Sequence, residues 1–343
     1  MGADPMSHGA PAFTRVHGGP DAAGVPLFDF STNSNACGPC PAALAAVQQA
    51  DAGRYPDAGY VALRRQLAAF HGVDAQRVLL AGSASEFIFR ITALAVQRGA
   101  MAVWLPPHSY GDYPQAAQAW KLPVVAQPAQ AQLRWACDPS SPLGAAHPAL
   151  DQLADPSALC VLDRAYEPLR LEGALALSDT ALQNFWQLWT PNKALGLTGV
   201  RAAYVIAPPD AGDVVQQLDQ LAPSWPVGAH GVAMLQAWTT SEVQAWLAAS
   251  LATLREWKAR QIALCEVMGW TCLPRAANFF CARPRLPQGM SMAQLLAGLR
   301  RQGIKLRDTT SFGLPGQVRL GALAPAAQDA LHNAWQHIIR KAT

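Results

Sequence analysis

The sequence predicts an α/β fold in which a mostly parallel sheet is covered by helices on both faces. Short apolar runs typical of buried strands alternate with helical patterns that carry one apolar face, and this alternation continues well into the second half of the chain. The predicted strands are 77–80, 100–105, 159–163, 184–188 and 202–206. The predicted helices are 41–50, 60–70 and 85–97, and helical patterns dominate 227–268.

A chain of 343 residues has room for one large domain and one smaller domain. Its beginning is rich in Gly, Pro, Ser and Asn, so we predict an irregular N-terminal arm over 1–40. The alternating strands and helices predict a large domain over 41–235. Short strands and helices mix in the tail, which predicts a small α+β domain over 236–343.

The composition is typical of a compact globular enzyme, because 51% of the residues are apolar and 14% are charged. A net charge of +3 is too small to favour nucleic acid or an anionic membrane as a partner. No apolar run is long enough to cross a bilayer and the N-terminus lacks a secretory pattern, so we expect a cytoplasmic protein. Cys37 and Cys40 have no second Cys/His pair, so we expect reduced thiols and no metal.

The segment 190–201, TPNKALGLTGVR, is the most informative in the chain. Lys193 stands among small and apolar residues without an acidic neighbour, and such a lysine can present a neutral amine to an aldehyde. Arg201 follows after two glycines and can return to the same site, where its guanidinium would fork onto a phosphate. The alternative is a surface lysine and an arginine in an ordinary ion pair.

Three further positions support a cofactor site. Asp163 ends an apolar strand, where α/β folds place functional groups, although an Asp after a strand is also a common helix N-cap. Ser85 lies where a strand meets a helix through small residues, which suits an anion at the helix N-terminus. Tyr110 follows another strand and could stack on a flat ring or pack in the core.

Together and in this order, these features resemble fold-type I pyridoxal phosphate (PLP) enzymes, in the branch of histidinol-phosphate aminotransferases and threonine-phosphate decarboxylases. The resemblance covers about 17–322 and implies an aspartate aminotransferase-like fold, PLP as cofactor and a homodimer with shared active sites. Lys193 would hold the cofactor as a Schiff base and later move protons at the substrate's Cα. Asp163 would pair with the pyridine nitrogen, Tyr166 would hydrogen-bond the phenolic oxygen, and Tyr110 would stack on the ring.

The resemblance also implies the remaining contacts. The cofactor phosphate would be held by Ala84, Ser85, Thr190 and Arg201. Tyr55 would reach the cofactor phosphate of the neighbouring subunit. Arg319 matches the arginine that clamps the substrate's α-carboxylate, and Arg307 matches a basic residue near the substrate's distal phosphate.

Two cofactor contacts depart from the family's usual residues. Ser141 stands where the family usually has an Asn that touches the ring oxygen, and its shorter hydroxyl is expected to lose this contact or to make it through water. Asn192 stands before the lysine, where the family usually has Ser. Both departures would weaken cofactor binding or alter the electronic properties of the ring.

The resemblance leaves two reactions open, since breaking Cα–H leads to transamination and breaking Cα–COO⁻ leads to decarboxylation. Three stretches resemble the decarboxylases: 17–19 (HGG), 28–35 (FDFSTNSN) and 224–227 (SWPV). They add His17, Gly18 and Asn35 as substrate contacts. We therefore favour decarboxylation of O-phospho-L-threonine, a step toward the cobalamin side chain.

The alternative is transamination of histidinol phosphate or a related amino acid. Both interpretations imply a small phosphate-bearing amino compound as substrate. A third interpretation, a PLP-fold protein that binds ligand without catalysis, is disfavoured because Lys193, Asp163 and Arg201 are all present.

Overall fold

The computed structural model describes residues 17–273 and 276–342. The strands are β1 (Phe28–Asp29), β2 (Val78–Ala81), β3 (Val103–Trp104), β4 (Val124–Val125), β5 (Leu133–Cys137), β6 (Leu159–Asp163), β7 (Trp186–Trp189), β8 (Ala203–Ile206), β9 (Thr271–Leu273), β10 (Phe279–Arg283), β11 (Ile304–Lys305), β12 (Arg307–Asp308) and β13 (Val318–Gly321). The helices are α1 (Pro41–Gln48), α2 (Val61–His71), α3 (Ala84–Gln97), α4 (Asp112–Ala119), α5 (Asp179–Leu182), α6 (Gly212–Gln220), α7 (Ala229–Trp238), α8 (Ser241–Val267), α9 (Met292–Arg301) and α10 (Pro325–Ala342).

A mixed sheet of seven strands, in the order β2-β8-β7-β6-β5-β3-β4, forms the centre of the fold. Strands β3 to β7 run parallel, and β8 runs antiparallel to β7 and β2. Successive side chains of β2 point to opposite faces, so Val78 and Leu80 join one apolar cluster while Leu79 and Ala81 join another. Helices α1, α2, α7 and α8 cover the first face, and α3, α4 and α6 cover the second.

A second, antiparallel sheet has the strand order β12-β13-β10-β9. It packs against α9, α10 and the end of α8 through an apolar cluster that includes Phe280, Leu320 and Trp335. Strand β1 pairs in parallel with β11, and Phe30 enters the same cluster. The predicted arm over 1–40 therefore includes a strand, and burial of Phe30 anchors it to the small sheet. Residues 1–16 lie outside the described part.

The helical pattern predicted over 227–268 is divided into α7 and α8. The break falls at Thr239–Thr240, and the Thr240 hydroxyl caps α8 by accepting from the Val243 amide at 3.4 Å. The buried positions of α8 recur every three or four residues, which is the spacing of one helix face. Three of them are polar, and one of these, Gln261, donates to the Gly321 carbonyl at 3.0 Å and so joins α8 to the small sheet. Among the described helices, none combines the length and apolar character that a membrane span requires.

The loop after β5 is held by a buried ion-pair network. The Asp138 carboxylate is 1% exposed and accepts from the Arg170 guanidinium and from the His147 amide, the latter at 2.6 Å. Arg170 also pairs with Glu167 at 2.7 Å. These contacts fix the backbone that leads to Ser141.

Replacing Arg170 with Ala is expected to lower the free energy of unfolding by about 3 kcal/mol, because the Asp138 carboxylate stays buried without its cation. Urea unfolding followed by circular dichroism measures this loss. Arg54→Ala is the control, since the ion pair of Arg54 with Asp51 is exposed and should contribute nothing measurable. Equal midpoints for both variants would show that the network carries no stability.

Candidate active site

A cavity of about 510 Å³ opens where the carboxyl ends of β5, β6 and β7 approach the small sheet. This is the edge at which open α/β sheets bind ligands. All predicted contacts except Asn35 and Tyr55 line this cavity: His17, Gly18, Ala84, Ser85, Tyr110, Ser141, Asp163, Tyr166, Thr190, Asn192, Lys193, Arg201, Arg307 and Arg319.

Asp163 is buried at the end of β6 and is held on both oxygens. Its Oδ2 accepts from the Tyr113 hydroxyl at 2.6 Å, and its Oδ1 accepts from the Ala165 amide at 2.9 Å. Burial raises the pKa of Asp163, and the Tyr113 hydrogen bond opposes this rise by favouring the charged form. A carboxyl group in this environment can share a proton with a heteroaromatic nitrogen.

Lys193 lies on the loop after β7 and is half-buried. Its amine lies 5.4 Å from the centre of the Tyr166 ring, and in the described part of the chain no carboxylate is within ion-pair distance of it. Its backbone carbonyl accepts from the Asn35 amide at 2.9 Å. The side chain of Asn35 donates to the Ala194 carbonyl at 3.0 Å and to Ser250 at 2.8 Å. Asn35 therefore lies behind the loop and holds it, rather than lining the cavity as we expected of a substrate contact.

One end of the cavity is built to hold an anion. Ala84 and Ser85 form the first turn of α3, a helix of 14 residues that is capped by the Ser83 hydroxyl. Thr190 reaches the same cavity and donates to Asn192 Oδ1 at 2.9 Å. Arg201 is exposed, and no acceptor among the described residues binds its guanidinium. Helix amides and a guanidinium that lacks a protein acceptor suit a phosphate.

Arg319 and Arg307 lie directly opposite each other on the paired strands β13 and β12. Arg319 is 7% exposed and donates to the Ser31 carbonyl at 3.1 Å and to Ser141 Oγ at 3.5 Å, while its Nε has no acceptor. No carboxylate of the described residues pairs with it, and burial lowers its pKa.

Arg307 is also buried and donates to Ser311 Oγ at 2.7 Å. Burial and then the charge of Arg319 lower the pKa of Arg307 to about 10. Like charges directly across two strands destabilise a sheet. The pair therefore indicates a site for an anionic ligand.

The N-terminal segment closes one side of the cavity. A Cβ on Gly18 would lie 2.2 Å from the Ser31 carbonyl, so only glycine fits there. The Asp21 carboxylate, paired with Lys305 at 2.7 Å and with Arg300 at 3.0 Å, ties the segment to β11 and α9. His17 is thereby held near Tyr110, with their ring centres 6.3 Å apart.

Tyr55 lies outside this cavity. It is 78% exposed and stacks on Trp225 with the ring centres 4.4 Å apart. Its contact with the cofactor of a neighbouring subunit stays a prediction.

Besides Asp112 on α4, three lining or supporting residues escaped the sequence analysis. Asn33 lines the cavity and donates to the Tyr166 hydroxyl at 3.3 Å, and its Oδ1 is buried without a partner. Phe312 lies beneath both arginines, 4.6 Å from the Arg307 guanidinium and 5.6 Å from that of Arg319. Tyr113 supports Asp163 from α4. Asn33 stands in the same Asn-x-Asn pattern as Asn35 and could have been found there, whereas the other two become visible only in three dimensions.

The comparisons with known proteins agree with this geometry. Residues 25–338 match the sequence profile of the family described as aminotransferase class I and II. Histidinol-phosphate aminotransferase 2 of Burkholderia mallei is 26% identical over 333 residues, which covers 90% of this chain and 92% of that protein. Histidinol-phosphate aminotransferase from Sinorhizobium meliloti, solved in complex with pyridoxal-5'-phosphate, has a TM-score of 0.76 at 22% identity and covers 91% of this chain and 90% of that chain.

A threonine-phosphate decarboxylase is also among the structural neighbours. The L-threonine-O-3-phosphate decarboxylase of Porphyromonas gingivalis has a TM-score of 0.69 at 20% identity, covering 87% of this chain and 92% of that chain. The predicted aspartate aminotransferase-like fold is confirmed. The preference for decarboxylation is not supported, because the decarboxylase is similar in fold alone while the aminotransferase is similar in sequence as well.

Arg319→Ala is expected to weaken binding of amino acids by at least about tenfold and to leave cofactor binding nearly unchanged, since a buried guanidinium without a protein carboxylate is free to bind one. Separate titrations with glutamate and with PLP measure the two affinities. Arg98→Ala is the control, because Arg98 forms an exposed ion pair outside the cavity. An equal loss of both affinities would place Arg319 at the cofactor rather than at the substrate.

Proposed function

Because the chain belongs to the aminotransferase class I and II family, we propose that it is a PLP-dependent aminotransferase acting on histidinol phosphate or a related phosphate-bearing amino compound. The observation that carries the proposal is the buried arginine pair. Arg319 and Arg307 lie in the same cavity as Lys193 and Asp163, so a cation pair for an anionic substrate shares one site with an amine and a buried acid.

Pyridoxal phosphate is the cofactor, and the residues of the cavity fit its parts. When bound, it supplies an electron sink for the electron pair left by a bond broken at the substrate's Cα. Lys193 would hold its aldehyde end and would move a proton at the substrate's Cα. Asp163 would hold the proton on the ring nitrogen. Tyr166, whose hydroxyl accepts a hydrogen bond from Asn33, would donate to the phenolic oxygen.

The two departures from the family's usual residues have structural partners. Ser141 lies 3.5 Å from an Arg319 nitrogen, so its hydroxyl supports the substrate arginine. Asn192 is hydrogen-bonded to Thr190 and to the Val200 carbonyl, and so braces the segment between Lys193 and Arg201.

The cofactor phosphate would be held by Ala84, Ser85, Thr190 and Arg201, and its ring would be covered by Tyr110.

The wall formed by α4 favours an imidazole among the candidate substrate side chains. Asp112, which is 7% exposed, lines the cavity with Gln115 and Gln118, and no cation of the described residues pairs with it. A carboxylate in this position can accept a hydrogen bond from an imidazole N–H. The side chain of phosphothreonine has no comparable cationic donor, and its phosphate would be repelled by Asp112.

One observation keeps decarboxylation of O-phospho-L-threonine as a second candidate. His17 and Gly18, which resemble the opening of the decarboxylases, are held against the cavity by the contacts of Gly18 and Asp21. An imidazole N–H at this mouth could donate to a phosphate. The aminotransferase remains the better-supported function, since histidinol-phosphate aminotransferases are similar to this chain in sequence.

We also propose a homodimer with shared active sites. The support is the exposed aromatic pair of Tyr55 and Trp225, whose rings stack on the surface. Exposed aromatic groups of this kind are enriched at protein interfaces.

Two parallel assays on the purified holoenzyme test the function. One offers histidinol phosphate with 2-oxoglutarate and measures glutamate, and the other offers O-phospho-L-threonine and measures carbon dioxide. We expect glutamate from the first assay and no carbon dioxide from the second. Carbon dioxide without glutamate would replace the aminotransferase with the second candidate.

Asp112→Asn is expected to raise the KM for histidinol phosphate by about tenfold while the KM for 2-oxoglutarate stays the same or falls, because only the first substrate offers an N–H donor to this carboxylate. Steady-state kinetics with each substrate varied in turn measures the split. Asp151→Asn, at an exposed acid outside the cavity, is the control. Equal increases for both substrates would show that Asp112 does not recognise the imidazole.

Lys193→Ala is expected to abolish the yellow colour of the covalently bound cofactor and to leave the fold intact, since this amine is the one that captures the aldehyde. The absorbance spectrum and borohydride reduction followed by mass spectrometry measure the link, and circular dichroism checks the fold. Lys341→Ala, at an exposed lysine near the end of α10, should keep the link. A borohydride-reducible link in the Lys193 variant would refute the assignment.

A further inference from the structure

Tyr113 has no part in the chemistry described above, although it touches the central acid. It lies near the start of α4, is 1% exposed, and donates its hydroxyl hydrogen to Asp163 Oδ2 at 2.6 Å. Hydrogen bonds to a charged acceptor are short and strong, and this one lies in a dry environment where it is worth more than in water. The contact therefore acts directly on the group that faces the cofactor's ring nitrogen.

The Tyr113 ring is fixed by its neighbours. It stacks on Trp135 with the ring centres 4.4 Å apart and an interplanar angle of 16°. It also meets the edge of Tyr110, the residue proposed to cover the cofactor ring, at 5.8 Å and 84°. This packing holds the Tyr113 oxygen within hydrogen-bond distance of Asp163.

The roles of donor and acceptor are also fixed. Burial, followed by the charge of Asp163, raises the pKa of Tyr113 well above its usual value, so the phenol stays protonated. The neighbouring thiol of Cys137 donates to the Pro139 carbonyl at 3.3 Å. Apart from Tyr113 and the Ala165 amide, no hydrogen-bond donor of the described residues contacts the carboxylate.

We propose that Tyr113 is a positioning residue for Asp163, whose hydrogen bond orients the carboxylate and keeps the shared proton on the cofactor's ring nitrogen. The inference rests on the proposed cofactor site. A proton between a carboxylate and a pyridine nitrogen resides on the nitrogen when the charged carboxylate is stabilised. Removing one of the two donors makes the carboxylate more basic and draws the proton toward Asp163, which weakens the electron sink.

Tyr113→Phe tests this role, because it removes the hydroxyl and keeps the ring that stacks on Trp135. The apoprotein is reconstituted with PLP labelled with ¹⁵N in the ring, and the ¹⁵N chemical shift reports protonation without turnover. Asp163→Asn defines the shift of the unprotonated ring. We expect the Tyr113 variant to move measurably from the wild-type shift toward that of Asp163→Asn, and its PLP affinity to fall about tenfold.

Tyr60→Phe is the matched control. Tyr60 is also a buried residue, and its hydroxyl donates to the Val227 carbonyl at 2.8 Å, outside the cavity. This variant should keep the wild-type ¹⁵N shift. Tyr113→His retains a donor and should restore part of the shift, and it carries the test if the Phe variant does not fold.

The outcomes separate the inference from the function on which it rests. If Asp163→Asn leaves the ¹⁵N shift unchanged, the proposed placement of the cofactor is wrong and the inference falls with it. If Asp163→Asn moves the shift while Tyr113→Phe keeps the wild-type value, the cofactor site stands and the positioning role of Tyr113 is refuted. A shift in Tyr60→Phe equal to that in Tyr113→Phe would also refute it, since any buried hydroxyl would then do the same.

Discussion

Arg319 keeps a full positive charge inside the protein with two neutral oxygens as its acceptors, the Ser31 carbonyl and Ser141 Oγ. Burying a guanidinium without a carboxylate partner costs on the order of several kcal/mol of free energy. Pairing the guanidinium with an anion would regain a similar amount. Placing Arg307 opposite it adds repulsion across the same two strands. The arrangement is consistent with a cavity whose stable state includes an anionic ligand, and the neighbouring groups are positioned to react with that ligand.

The cavity is also lined by an acidic group. Asp163 is a buried acid at the end of a parallel strand, and its charged form is favoured by Tyr113 and by the Ala165 amide. Lys193 lies on a loop held from behind by Asn35. An acid, an amine and a cation pair thus line one space of about 510 Å³.

The loops that carry these groups are anchored outside the cavity. The Asp138–Arg170 pair fixes the segment that carries Ser141, and Gln261 joins the long helix α8 to the strand that carries Arg319. The ion pairs of Asp21 hold the N-terminal segment, and with it His17, at the mouth. Because each anchor includes a residue that is distant in sequence from the group it positions, such as Arg170, Lys305 or Gln261, a substitution there can change the geometry of the cavity.

The sequence by itself determined the α/β class, five strands of the central sheet and helices packed beside them, and fourteen residues that line the cavity. Strand and helix patterns are local, and the positions around Lys193, Asp163 and Arg201 could be identified from an ordered resemblance. The tertiary structure decided which polar groups pair. It placed Asn35 behind the lysine loop and Asn33 in the cavity, although both belong to one short segment. It also brought Tyr113 to Asp163, fifty positions along the chain, because helix α4 packs on the face of the sheet beside β6. Contacts of this kind depend on which faces meet across the core, and that is a property of the packed fold rather than of any local pattern.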